Sequence, residues 1–202
     1  MDYMFRDAKT LTSFAIYSET GDQIFLMIST FENDGNLEHF SISGFNIENV
    51  KSMKKLFYKT YLLGVTLNDF NTKNLEDISY MFANTGIKEF NIEGFNTDEV
   101  TTIYHLLDES TSLKEVDILT IDASICKDLS YMFHSCGTIK KDFSKSDTSK
   151  ATNMAHMFHD CLSLTKLKIN NIDTIKVEDM SYIFDGCLAL ESLDFSNWNS
   201  DY

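Results

Sequence analysis

Residues 173–198 read DTIKVEDMSYIFDGCLALESLDFSNW, and residues 147–172, directly before them, read DTSKATNMAHMFHDCLSLTKLKINNI. Both fit the pattern [N/D]-T-x-x-V-x-x-M-x-x-M-F-x-x-C-x-x-L-x-x-L-x-I-x-x-F. The pattern recurs every 25 or 26 residues, with repeats that start at Thr20, Asn46, Asn71, Asn96, Asp122, Asp147, Asp173 and Asn199. A fixed period of this length is typical of repeat proteins, in which each unit stacks on its neighbours.

Each repeat is predicted to form one short helix and one short strand, an α/β repeat. Val177, Met180 and Phe184 are spaced at i, i+3 and i+7, which places them on one face of a helix. The Asn or Asp that opens each repeat is a good N-cap. The L-x-x-L-x-I segment that follows alternates as a strand with one buried face does. In IKKDFSKS the spacing from Ile139 to Phe143 is shorter by one residue, so we expect a distorted strand there.

One unit is too small to bury its own apolar face, so stability is expected from contacts between repeats. The most regular buried column consists of Phe5, Phe31, Phe57, Phe82, Leu107, Phe133, Phe158 and Phe184. The repeats account for essentially the whole chain. We therefore predict a single domain over residues 1–202 with about eight repeats, of which 1–19 and 199–202 are partial.

Composition narrows the class of protein. The 202 residues include 17 Lys and Arg against 31 Asp and Glu, a formal charge of −14, and no Pro. Such an acidic chain is repelled by phosphate backbones and anionic lipid, which argues against nucleic acid and membrane surfaces as partners. No apolar run approaches the roughly 20 residues that span a bilayer. Met1 is not followed by a basic stretch and an apolar segment, so no signal peptide is predicted.

The central part of the pattern resembles a known family. It reads YMFHSCGTI at 131–139, HMFHDCLSL at 156–164 and YIFDGCLAL at 182–190. These segments resemble the bacterial surface-protein repeat of about 26 residues, the BspA-like branch of the leucine-rich repeats. The resemblance implies a curved right-handed solenoid with a parallel sheet on its concave face. It also implies a cell-surface or secreted location and a role in adhesion or partner binding.

Strand residues that alternate with the buried columns should point outward from the concave face. Glu89 and Glu115 are expected to stack on adjacent strands, where their like charges are unfavourable for stability. This acidic patch beside two lysines predicts a surface for a polar or charged partner, although a merely solvated face explains the same pattern. The candidate binding residues are Tyr17, His39, Glu89, Glu93, Glu115, Asp117, Lys166 and Lys168.

Cysteine and histidine residues also fall into columns. Cys136, Cys161 and Cys187 occupy one column, and we favour packed, free thiols over disulfides for these residues and for Cys126. The quartet His134, Cys136, His159 and Cys161 has the ligand types of a zinc site. A cysteine that faces the core leaves the histidine two residues earlier facing solvent, so we predict no metal and no cofactor.

The sequence favours a non-catalytic module that binds a protein or glycan through the concave face. It contains no G-x-S-x-G, Gly-rich phosphate loop or H-E-x-x-H motif. The alternative is a structural segment that associates end to end through uncapped terminal repeats, whose strand edges and apolar side chains are exposed.

Overall fold

The computed structural model describes residues 1–65, 71–90, 95–116, 122–137, 147–169, 172–196 and 198. Their regular structure consists of four short strands, β1 (Ser13–Tyr17), β2 (His39–Ser43), β3 (Glu89–Phe90) and β4 (Glu115–Val116). β1 pairs with β2 and β3 pairs with β4, both in parallel. Across these described ranges there is no helix, and hence none long and apolar enough to cross a bilayer.

The prediction of an α/β, leucine-rich-repeat-like right-handed solenoid with one helix and one strand per repeat is therefore wrong. Segments expected to be helical, such as 54–59 and 181–186, are runs of turns. In the part of the chain that the structure describes, the sheet expected on a concave face is reduced to two pairs of short strands. The distorted strand expected at 139–143 lies outside the described residues.

Left-handed backbone conformations keep these segments from becoming helices. Lys55 has a φ of 56° and Lys59 a φ of 57°, whereas an α-helix needs a φ near −60° at every residue. Pairs four residues apart adopt the same conformation in each repeat: Tyr3 and Asp7, Ser29 and Asn33, Lys55 and Lys59, Tyr80 and Asn84, His105 and Glu109, Tyr131 and Ser135, His156 and Asp160, and Tyr182 and Gly186.

Backbone amides in these segments alternate between two kinds of partner. The N–H of Leu56 donates to the carbonyl of Met53 at 3.0 Å, which closes a turn with Lys55 at its third position, where a type II turn requires a positive φ. The N–H of Phe57 donates instead to the carbonyl of Met81, in the next repeat, at 3.0 Å. Amides that a helix would satisfy internally thus join one repeat to the next.

The Asn or Asp that opens each repeat closes a turn and does not cap a helix. Asp98 N–H donates to Oδ1 of Asn96 at 2.9 Å, and the same bond to the residue two positions earlier recurs at Asp147 and Asp173. Short polar side chains favour this Asx turn where no helix follows. Later in each of these repeats, a row of isolated parallel β-bridges links one repeat to the next. The bridged residues are Ser52, Asp77, Thr102, Asp128, Asn153 and Asp179.

The predicted phenylalanine column is confirmed. Phe57 lies between Phe31 and Phe82, with ring centroids 6.0 Å and 5.5 Å away, and all three rings are fully buried. Leu107 is buried at the equivalent position of its repeat. Stacked ring pairs within the column are Phe5–Phe31, Phe31–Phe57, Phe57–Phe82, Phe133–Phe158 and Phe158–Phe184. Because the repeats stack in register, other equivalent side chains are also brought into columns.

Candidate functional site

Two of the sequence-predicted binding residues lie on the first pair of strands. Tyr17 ends β1 opposite Ser43, and His39 begins β2 opposite Ser13. Both side chains are exposed. They lie at opposite ends of the paired strands, so the structure places them on one small sheet without bringing them into contact.

The acidic candidates fall on the second pair of strands. Glu89 of β3 pairs with Glu115 of β4, so the expected stacking of these two positions on adjacent strands is confirmed for the backbone. The side chain of Glu89 is exposed. Glu93 and Asp117 lie outside the described residues.

Lys166 and Lys168 lie near the C-terminal end of the chain and are both exposed. Lys166 forms a parallel bridge with Ser192 of the next repeat, and its Nζ lies 3.7 Å from Oε2 of Glu191. Both side chains of this ion pair are exposed, so the pair contributes little to stability. The described candidate residues therefore lie in five different repeats, with Lys166 and Lys168 in the same one.

A more compact arrangement is a column of stacked rings that we call the aromatic ladder: Tyr80, His105, Tyr131, His156 and Tyr182. Successive ring centroids are 4.3, 4.4, 4.4 and 4.8 Å apart, and successive ring planes are within 14° of parallel. Lys55 extends the column, since its Nζ lies 5.5 Å from the centroid of Tyr80. Five repeats thus present one continuous row of tyrosine and histidine side chains.

The ladder follows directly from the repeat. Each member lies two residues before the core position, as Tyr131 lies before Phe133, and each occupies the left-handed position at the start of the turn segment. The core and the ladder are therefore parallel columns of one period. Sequence reasoning missed the ladder, although reading the column two residues before each phenylalanine would have found it.

Beside the ladder, Asp108 holds two histidines. Its Oδ2 accepts a hydrogen bond from Nδ1 of His105 at 2.6 Å, and its Oδ1 accepts one from Nδ1 of His134 at 2.6 Å. All three side chains are largely buried. Burial alone would raise the pKa of Asp108, but the two hydrogen bonds outweigh it and hold that pKa below its ordinary value. The bond to Asp108 raises the pKa of His134 above its ordinary value.

His134 also stacks on His159 of the next repeat, with ring centroids 5.2 Å apart. His159 Nε2 lies 3.3 Å from Oδ2 of Asp160, and its Nδ1 lies 3.5 Å from Oδ2 of Asp185. Burial, together with the neighbouring His159 and His134, lowers the pKa of His156. This part of the surface therefore concentrates histidines and carboxylates from adjacent repeats.

The cysteines do not join that cluster. The thiols of Cys136 and Cys161 are buried and donate to the carbonyls of Leu107 and Phe133, each at 3.1 Å. Burial raises the pKa of Cys126 to about 12. All four cysteines are free. The quartet of two histidines and two cysteines considered from sequence is thus divided, with the thiols turned into the core and the imidazoles outside it.

A shallow hollow of about 490 Å³ adjoins the ladder, and it is lined by Thr101, Thr102, Tyr104, Ile125, Lys127 and Asp128. Tyr104 connects the two features, because its ring centroid lies 5.4 Å from that of Tyr80. The exposed side chain of Ile125 gives the hollow an apolar part. A hollow of this kind can receive a side chain of a partner.

In-register stacking of short units around shared side-chain columns defines the chain as a repeat protein. It belongs to the family described as Mycoplasma protein of unknown function, DUF285, whose model matches residues 1–90 and again residues 84–198. The two matches divide the chain into successive copies of the same pattern, in agreement with the internal period. No curated protein and no solved structure matches the chain.

Proposed function

We propose that the chain is a non-catalytic binding module that recognises a protein partner through the aromatic ladder and the adjoining hollow. The observation that carries the proposal is the alignment of five tyrosine and histidine rings, one per repeat, along a single face. Tyrosine presents a rigid ring and a polar hydroxyl, and it is enriched at protein interfaces for that reason.

Ring stacking favours a protein over a glycan. Sugars bind aromatic residues chiefly through an open ring face, but His105, Tyr131 and His156 have neighbours on both faces. Only the ring edges and the polar atoms that are neither buried nor already hydrogen-bonded remain available, and those suit hydrogen bonds to main chain and polar side chains. Tyr182, at the end of the ladder, is 61% exposed and provides a large anchor.

The charge of the chain and its family resemblance support a more specific proposal about the partner and its location. The formal charge of −14 favours a basic protein surface, because opposite charge accelerates association. The resemblance to bacterial surface repeats supports a cell-surface or secreted location and an adhesive role. The sequence-predicted strand-face residues, with Tyr17, Glu89 and Lys166 among them, form a second contact surface in this proposal.

The test is a binding screen of the full chain against purified extracellular-matrix proteins, with a glycan array alongside. Tyr182→Ala removes a ladder residue, and Tyr61→Ala is its matched control, because Tyr61 is 56% exposed outside the ladder. We expect saturable binding to a protein that Tyr182→Ala weakens at least tenfold and Tyr61→Ala leaves unchanged. Binding that responds only to the Glu89→Ala/Glu115→Ala double variant would assign recognition to the strand face, and binding to glycans alone would refute the protein partner.

End-to-end association is the second candidate, and the backbone supports it. In the repeat that starts at Asp173, the N–H groups of Tyr182, Phe184 and Gly186 have no acceptor among the described residues. In the first repeat, the carbonyls of Asp2, Met4 and Arg6 have no donor among those residues. These are the groups that join every internal pair of repeats, so the two ends are complementary head to tail.

Sedimentation of the full chain over a wide concentration range tests this candidate. Leu188 is 85% exposed in the last repeat, so Leu188→Asp should weaken association if the ends meet. Leu162→Asp, a change at another exposed leucine in an internal repeat, is the control. A chain that stays monomeric at the highest concentration would exclude end-to-end association and leave the ladder proposal unaffected.

A further inference from the structure

One histidine and carboxylate cluster beside the ladder has the composition of a metal site. His134, His159 and Asp160 each offer a ligand atom, and these atoms all lie within 4.8 Å of one another. In a tetrahedral zinc site with bonds of about 2.0–2.1 Å to nitrogen, ligand atoms lie somewhat closer together than this. Ligand atoms in such a site are about 3.3–3.4 Å apart, so side-chain rotations must shorten the longest of these separations by up to about 1.5 Å before all three bind one ion.

The hydrogen bond to Asp108 makes Nε2 the ring nitrogen of His134 that could bind a metal. Its Nδ1 donates to Asp108 at 2.6 Å, while Nε2 has the Ser135 hydroxyl at 3.2 Å. A hydroxyl can rotate away or become a donor to a neighbouring group. An imidazole that donates its second N–H to a carboxylate is the usual arrangement for a histidine that binds a metal through the other nitrogen.

His159 has carboxylates near both ring nitrogens, but at longer distances. Its Nε2 lies 3.3 Å from Oδ2 of Asp160, and its Nδ1, buried and without a hydrogen bond, lies 3.5 Å from Oδ2 of Asp185. Asp185 does not hydrogen-bond to this nitrogen, so the two side chains would have to approach each other before Asp185 could orient His159 as Asp108 orients His134. Gly186 leaves room for the group, because a side chain at that position would collide with the Asp160 carboxylate.

We propose that His134, His159 and Asp160 bind one divalent transition-metal ion of the zinc class. Two imidazoles and one carboxylate form a ligand set that zinc accepts readily, and they leave a coordination position for water. Asp108 is a positioning residue that orients His134. From the sequence we predicted no metal, because the only ligand set considered combined these two histidines with Cys136 and Cys161. The structure shows that those thiols donate to core carbonyls.

The site joins two repeats, since His134 belongs to one and His159 and Asp160 to the next. An ion bound only by the folded chain stabilises it by an amount that rises with the logarithm of the ion concentration over the dissociation constant. Zn²⁺ should therefore raise the melting temperature of the chain. This consequence is independent of any binding partner.

The test is titration of the chelator-treated full chain with Zn²⁺ in competition with a metal-sensitive dye, under reducing conditions. We expect one ion per chain, with binding lost in His159→Gln and in Asp160→Asn. Asp108→Asn should weaken binding by about 10- to 100-fold. His39→Gln, at an exposed histidine in another repeat, and Cys187→Ser should bind as the native chain does.

A measurement on the native chain tests the proposal even where a variant fails to fold. Zn²⁺ should protect His134 and His159 from diethyl pyrocarbonate, as mapped by mass spectrometry, while His39 remains reactive. The melting temperature should rise with Zn²⁺ and return to its starting value with chelator. The proposal is overturned if Zn²⁺ neither binds saturably nor protects these histidines, or if His159→Gln and Asp160→Asn bind Zn²⁺ as tightly as the native chain.

Discussion

Asp108 and His134 lie in neighbouring repeats and share a hydrogen bond of 2.6 Å between Oδ1 and Nδ1. The raised pKa of His134 contributes stability that is fully present below its unfolded value of about 6.5 and is lost as pH rises through the folded value. The lowered pKa of Asp108 contributes stability that is present above its unfolded value of about 3.9 and is lost as pH falls through the folded value. The pair is therefore most stabilising between about pH 4 and 6.5.

Asp108→Asn should lower the free energy of unfolding by about 2 kcal/mol near the middle of this pH window, because the charge-assisted hydrogen bond is weakened. The loss should be smaller at a pH well above the window, where His134 is neutral in both states. Urea denaturation at the two pH values measures the difference. Asp98→Asn, at an exposed carboxylate, is the control. An equal loss at both pH values would show that His134 does not carry the effect.

The period and the buried columns could be predicted from sequence, because each column is one residue type repeated at a fixed spacing. The conformation between the columns could not. Consecutive turns, each closed by a hydrogen bond between residues three apart, place Met53, Leu56 and Phe57 on the buried side. A helix would bury the same residues. Left-handed conformations at residues such as Lys55 and Tyr80 are uncommon for these residue types, so the pattern gave no warning of them.

Only part of the candidate site could be read from the sequence. The pairing of Glu89 with Glu115 follows from the repeat alone. The contacts of Asp108 with His105 and His134 connect two different columns and two repeats. These contacts depend on the direction in which each side chain leaves the left-handed turn. The spacing of residues in the sequence does not reveal that direction.

Asp34 is a buried carboxyl at a position where the next three repeats carry a hydroxyl and the following three carry a cysteine. Its side chain is completely buried and neither carboxyl oxygen has a hydrogen-bond partner. At the equivalent positions, Thr60 and Thr85 donate to the carbonyls of Phe57 and Phe82, both at 2.9 Å. Burial raises the pKa of Asp34 above its ordinary value.

Asp34→Thr should therefore raise the free energy of unfolding by about 1–3 kcal/mol at neutral pH, since it removes a buried acid and restores a donor. A raised folded pKa means that the native chain loses stability as pH rises above the unfolded value of about 3.9. The gain should consequently be larger at neutral pH than at acidic pH in chemical denaturation. Thr85→Asp is the reverse control and should destabilise. A destabilised Asp34→Thr chain would mean that the carboxyl has a favourable partner.

The phenylalanine column predicts a gradient of mutational cost. Phe57 is fully buried between two rings, whereas Phe184, in the last repeat, is only partly buried. Phe57→Ala should cost about 3–5 kcal/mol by loss of burial and creation of a cavity. Phe184→Ala should cost distinctly less, because solvent already reaches that ring. Urea denaturation measures both, and equal costs would contradict a column that is more exposed at its end.

The left-handed turn positions predict opposite effects for two substitutions at Lys59. This exposed residue has a φ of 57°, and its N–H donates to the carbonyl of Ala83 at 3.0 Å, which either replacement can retain. Lys59→Gly relieves a conformation that is unfavourable by roughly 1–2 kcal/mol for other residues, partly offset by the entropy of glycine in the unfolded chain. We expect a gain of about 0.5–1 kcal/mol. Lys59→Val loses the same side-chain contacts but places a β-branched residue in a region that it strongly disfavours, so it should destabilise. Thermal denaturation of the two variants compares them directly, and if valine is tolerated as well as glycine, the segment adopts another turn geometry.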